Sequence, residues 1–179
     1  MAKKPGRAYS AITVNHRVWR VLAPKWAHTP LSGAGAALNG GRFNRPGFDA
    51  LYTSFDPMTA MIEYEQEFGI RPGTLCPYDA SIWPIADLTD AKTLGALNVK
   101  PADLECPWKE IAWVNHQDPP TWRLADRLIN DGIAGIKVPS FQNKMGFNLV
   151  LWKWADVKTR SLRVLDPMGD LPMNQDSWR

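Results

Sequence analysis

Between Arg17 and Leu165 the apolar pattern of this sequence switches between a period of two and a period near 3.6, without the regular strand–helix–strand rhythm of a parallel sheet. Strands are predicted over 17–22, 50–54, 78–85, 133–138, 147–154 and 161–165. Helices are predicted over 57–68 and 91–97, and from Pro119 to a stop at Asn130-Asp131-Gly132. The last three strands follow one another with no helix between them, so the order predicts an α+β fold. With 179 residues, 45% of them hydrophobic, the chain can bury one proper core. The expectation is a single domain over 1–179, with a core at about 17–166 and an irregular tail over 167–179.

The segment Ser32 to Gly47 is crowded with glycine and carries Arg42, Arg45, Asn39 and Asn44. Glycines allow positive φ and a close approach of the backbone to a ligand. Successive N–H groups then form an anion nest, and an Arg fork matches phosphate oxygens. The segment therefore reads as an anion-holding loop, against the plainer reading of a mobile surface loop with solvated arginines. In the strand before it, Val18, Arg20 and Leu22 share one face. A guanidinium on an apolar face needs an acceptor, either within the fold or on a ligand, and the ligand is the expectation for Arg20.

Asp56-Pro57 is a helix start, with Asp56 as N-cap and Pro57 in the first turn. Helical spacing puts Met58, Met61, Ile62 and Phe68 on one core stripe and sets Glu65, not Glu63, within it. The region from Arg71 to Pro119 offers no recognisable chemistry. His16, His28 and His116 are scattered and neither cysteine is near them, so no metal site is expected. Cys76 and Cys106 are expected as reduced thiols. Rossmann, Walker and Gly-x-Ser-x-Gly patterns are absent. The net charge of +3 is small and spread along the chain, which argues against direct nucleic-acid binding. No apolar run approaches the ~20 residues of a membrane span, and no apolar stretch follows the basic start, so a cytoplasmic protein without membrane contact is expected.

Several pieces in order resemble the RES domain, a family named for an Arg, a Glu and a Ser. They are Trp19-Arg20-Val21, the block Gly40-Gly41-Arg42-Phe43-Asn44, Leu51-Tyr52 with Glu63 eleven residues after the tyrosine, Val138-Pro139-Ser140 and Asn148-Leu149. The tail, with Asp166-Pro167 and Asn174 to Trp178, is similar to the ParT-type branch. Phe43 stands where many members have Trp, and Leu-Val-Leu-Trp follows Asn148 where many have an Asn-Pro pair. The resemblance implies a fold similar to the diphtheria-toxin-like ADP-ribosyltransferases and a toxin of a bacterial toxin–antitoxin pair that consumes NAD as a substrate, without a metal.

It also implies roles. Arg20 and Arg42 would meet the NAD phosphates and riboses, Tyr52 the nicotinamide, and Glu63 would be the catalytic carboxylate. Ser140, with Asn44 and Asn148, would complete the NAD pocket. An antitoxin of the Xre class would cover that pocket, and Trp178 is a candidate either for capping it or for docking the antitoxin. These residue types suit the chemistry, because breaking the nicotinamide–ribose bond develops oxocarbenium character that a carboxylate stabilises. The leading expectation is mono-ADP-ribosyl transfer to a protein acceptor. Hydrolysis by a NAD glycohydrolase is the alternative, and a non-catalytic nucleotide or nucleic-acid binding module, suggested by nine tryptophans, is more distant.

Overall fold

The computed structural model describes residues 8–66, 69–156 and 158–176. Alternation sets the first strand, β1 (Ile12–Leu22), whose Val14, Val18 and Leu22 are buried while Thr13, Asn15 and Arg17 are exposed. It pairs antiparallel with the long β3 (Thr74–Asp87), from Leu22 opposite Thr74 to Ile12 opposite Ile85. The other edge of β3 is shared. Tyr78 to Ile82 pair with β7 (Arg160–Val164), which also holds the short β6 (Ala155–Asp156). Ile85 to Asp87 pair in parallel with β4 (Gly135–Pro139). From β4 the ladder continues antiparallel to β5 (Phe147–Leu151) and then to β2 (Leu51–Ser54). A single pairing, Trp19 with Ser54, brings β2 back to β1 and closes a barrel-like ring of mixed direction.

Period two splits the residues of β2, β5 and β4 between two cores. Leu51, Leu149 and Leu151 join Val18, Tyr78, Ile82 and Ile85 in one cluster. Tyr52, Val150, Ile136 and Val138 point the opposite way, into a second cluster. That second face is covered by Leu97 of α3 (Ala91–Leu97), Leu104 of α4 (Pro101–Leu104) and Leu124 and Leu128 of α5 (Pro120–Asn130). In the numbering of helices, α1 is Ala34–Asn39 and α2 is Pro57–Glu65.

The α+β expectation holds, and several local expectations change. The glycine-rich segment is not all loop, because Ala34 to Asn39 form α1. The strand predicted over 147–154 ends at Leu151, since the Trp152 and Lys153 N–H groups both donate to the Ala134 carbonyl and bend the chain. The predicted Met stripe is also not core. Met58 and Met61 are 61% and 43% exposed, and the buried residues of α2 are Thr59 and Ala60. Small side chains let this short helix lie close against β1 and β2, a fit that outweighs the hydrophobicity of the methionines. Phe68 falls outside the described residues.

Asp56 caps α2 as the sequence predicts, accepting from the Thr59 N–H at 2.8 Å and from the Thr59 hydroxyl at 2.6 Å. Replacing Asp56 by Ala is expected to lower stability by about 1 kcal/mol, read as a shift of the urea midpoint at unchanged slope.

Candidate active site

Tyr52 and Ser54 lie two apart on β2, Asn148 and Val150 on β5, and Ile136 and Val138 on β4, with Ser140 two residues further on. Register places Tyr52 beside Val150 and Ser54 beside Asn148, with Val138 on the far side of Asn148. Polar residues at one end of an otherwise apolar face thus become neighbours. Above that end a cleft of about 960 Å³ opens, lined by Arg42, Tyr52, Glu63, Ser140, Phe141 and Asn148 among others.

Glu63 reaches the cleft from α2. Its Oε1 accepts from the Ser140 hydroxyl and from Asn148 Nδ2, each at 2.6 Å. Its Oε2 accepts nothing among the described residues. Both donors are themselves held: Ser140 Oγ accepts from the Asn143 N–H at 2.9 Å, and Asn148 Oδ1 accepts from the Ser54 hydroxyl at 2.7 Å. Asn143 Nδ2 also donates to Thr59 Oγ1 at 2.8 Å, which ties the loop after β4 to α2. The carboxylate is therefore fixed through one oxygen and left open at the other.

Arg42 stands in a tight turn, Gly41 to Asn44, closed by the Gly41 N–H donating to the Asn44 carbonyl at 2.9 Å. The indoles of Trp122 and Trp152 donate to the carbonyls of Gly41 and Phe43 at 2.7 and 2.9 Å. The Tyr52 hydroxyl donates to Asn44 Oδ1 at 2.7 Å and accepts from the Phe43 N–H at 3.0 Å. Burial pushes the Tyr52 pKa well above the ordinary tyrosine range, so the hydroxyl stays neutral. With its hydroxyl engaged in the turn, Tyr52 offers the cleft its ring. Asn44 is buried, and its Nδ2 bonds the carbonyls of Ala36, Arg45 and Phe48, so it shapes the turn from behind.

The Arg42 guanidinium donates through Nη1 to the carbonyls of Leu104 and Cys106, at 3.2 and 2.7 Å, and lies 4.7 Å from the centre of the Phe141 ring. Its Nε and Nη2 make no hydrogen bond among the described residues. Burial lowers its pKa, and the nearby Cys106 and Glu63 oppose that shift. The stretch from Leu104 to Glu110, which the sequence left without chemistry, is thus one wall of the cleft and supplies the acceptors for Arg42. Its carbonyls are main-chain groups, so no side-chain pattern announces them.

Arg20 is not among the residues lining the cleft. It donates to the carbonyls of Ser32 and Pro30, at 3.0 and 3.5 Å, and so finds its acceptors within the fold. Arg45 is likewise engaged, by Asp118 at 2.6 Å and Asp126 at 2.8 Å, and these carboxylates raise its pKa. Of the arginines in the glycine-rich segment, Arg42 is the one at the cleft. Glu65, which periodicity favoured, does not line it either. Ser54 was missed; its signal is a polar residue two positions after Tyr52 on a strand that the fold buries. Trp178 lies outside the described residues. Cys76 and Cys106 are free, buried thiols. Among the described residues no cluster of His, Cys, Asp and Glu could hold a metal ion, and no helix is long and apolar enough to cross a membrane.

A mixed α+β domain with a barrel-like sheet and a carboxylate fixed at the end of one strand face defines the class to which the chain belongs. The family can be stated directly: a model described as RES domain matches residues 17–174, and the chain belongs to that family. Among solved structures, a chain of the M. tuberculosis MbcT-MbcA toxin-antitoxin complex has the same fold, with a TM-score of 0.65 and 20% identity over 87% of this chain and 84% of that one. No curated protein sequence matches.

The turn carrying Arg42 leaves no space for a side chain at Gly41. A Cβ there would come to 2.5 Å from the Tyr52 hydroxyl oxygen and 2.7 Å from Asn44 Oδ1. Gly41→Ala is expected to cost about 1–3 kcal/mol by overpacking. Tyr52→Phe, which strands Asn44 Oδ1 and the Phe43 N–H, is expected to cost a similar amount. Thermal and denaturant unfolding of both variants measures this.

Proposed function

We propose that the protein is a NAD-consuming toxin of a bacterial toxin–antitoxin pair, breaking the nicotinamide–ribose bond and transferring ADP-ribose to a protein acceptor. The observation that carries the proposal is the half-anchored Glu63 carboxylate, with Oε1 fixed by Ser140 and Asn148 and Oε2 without a hydrogen bond among the described residues, beside the cleft. Membership of the RES family supports NAD as the substrate. The cleft is at the upper end of the roughly 300–1,000 Å³ usual for ligand sites, room enough for a dinucleotide.

In this reading the C–N bonding pair leaves with nicotinamide, neutralising the pyridinium, and the ribose carbon becomes oxocarbenium-like. Glu63 stabilises that charge and receives the proton of the incoming nucleophile. The Tyr52 ring packs on the nicotinamide. Arg42 directs its Nε and Nη2 groups at the pyrophosphate, and Ser140 and Asn148 act by holding Glu63. Asn44 supports the same pocket through the turn. Arg20, bonded to two main-chain carbonyls, acts on the segment leading to that turn. The overall fold relation is to the diphtheria-toxin-like ADP-ribosyltransferases, and the family branch is the ParT type. The structural neighbour comes from a toxin–antitoxin complex, which supports an antitoxin partner, here proposed to be of the Xre class and to cover the cleft.

Incubation of the purified protein with NAD, with and without cell extract, is expected to release nicotinamide and to add the mass of ADP-ribose to an extract protein. Glu63→Gln is expected to reduce release by about 100-fold or more, and Arg42→Ala to raise KM. Free ADP-ribose as the sole product would replace transfer by hydrolysis. An intact NAD pool under all conditions would overturn the catalytic reading.

A further inference from the structure

A carboxylate accepts hydrogen bonds and, when ionised, donates none. Glu63 Oε1 therefore dictates the orientation of Asn148, whose NH2 must face it, and the amide oxygen is driven to the opposite side. That oxygen is turned towards β2, where Ser54 stands directly opposite Asn148, and it is held by a donor from that strand. The Ser54 hydroxyl is that donor, at 2.7 Å. Ser54 is 3% exposed, sits directly across the ladder from Asn148, and is not among the residues lining the cleft. It cannot touch a ligand there, yet it completes the relay from Ser54 through Asn148 to Glu63.

We propose that Ser54 is a positioning residue for Glu63, acting through Asn148. The neighbouring Thr53 shows by contrast what a strand hydroxyl does when it has no such task, since its Oγ1 donates to the Leu149 carbonyl on the other face of the strand. Loss of the Ser54 donor leaves Asn148 Oδ1 without its partner among the described residues, so the amide is no longer held in the orientation that serves the carboxylate. Glu63 then keeps the Ser140 bond alone and swings about it. Ser54 is itself outside the cleft lining, so the loss falls chiefly on turnover, through the placement of Glu63, and less on binding.

Two measurements test this, the first resting on the proposed NAD chemistry and the second independent of it. For nicotinamide release, Ser54→Ala is expected to lower kcat about tenfold with KM within about twofold. The double variant Ser54→Ala/Asn148→Ala is expected to be no slower than Asn148→Ala alone, because both act through one contact. Equal activity of Ser54→Ala and the unsubstituted protein, or independent additive losses, overturns the role. In the second measurement, the Asn148 side-chain NH2 protons are followed by NMR, assigned by their disappearance in Asn148→Ala. They are expected to exchange slowly in the unsubstituted protein and fast in Ser54→Ala; equal exchange overturns the role whether or not NAD is cleaved. Should Ser54→Ala fail to fold, Ser54→Cys, of similar size and with a weak donor, carries both comparisons. Absence of nicotinamide release from the unsubstituted protein counts against the NAD reading, and the exchange result then decides on Ser54.

Discussion

One carboxylate oxygen, Glu63 Oε1, gathers bonds from Ser140 beyond β4 and from Asn148 on β5, and the helix carrying Glu63 packs against β1 and β2. The site exists only if those elements stand in register. A slip of one residue in β5 would turn Asn148 and Val150 to the opposite face and bring Leu149 and Leu151 to the cleft. The register is fixed chiefly by the apolar residues, because Leu51, Leu149 and Leu151 must stay in one core and Val138 and Val150 in the other. Hydrophobic sorting thus places the polar groups at their end of the face, and the hydrogen bonds refine the placement.

Arg42 depends on a different device. Its turn is held from three directions, by the Tyr52 hydroxyl, the Asn44 amide and the two indoles. A neutral phenol suits this task because it donates and accepts at once. The tryptophans have comparable double value, filling the region around the turn while their ring N–H groups satisfy main-chain carbonyls. The abundance of tryptophan in the sequence is in part explained by this scaffold rather than by base stacking.

Much of the backbone was legible in the sequence because period two and the cap signals act locally. Asp56-Pro57 predicted the start of α2, and Ala91 to Leu97 emerged with the predicted bounds. Glu63 was not legible from periodicity, which favoured Glu65, since the helix is short and packs through Thr59 and Ala60; the family resemblance singled it out. The wall from Leu104 to Glu110 was invisible because its bonds to Arg42 come from carbonyls that every residue carries. Arg20 was read correctly as a guanidinium needing acceptors, but sequence could not show that the Pro30 and Ser32 carbonyls lie within its reach.

The bonds on Glu63 span 77 residues to Ser140 and 85 to Asn148. Contacts so distant along the chain form after local structure, since a long loop must be closed before they return any stabilisation. A nascent chain that has not yet delivered β5 lacks Asn148, the neighbour of β2 and the strand that carries the ladder from β4 to it. During synthesis the carboxylate is consequently made well before the residues that anchor it, and the cleft is complete only once β5 has joined the ladder.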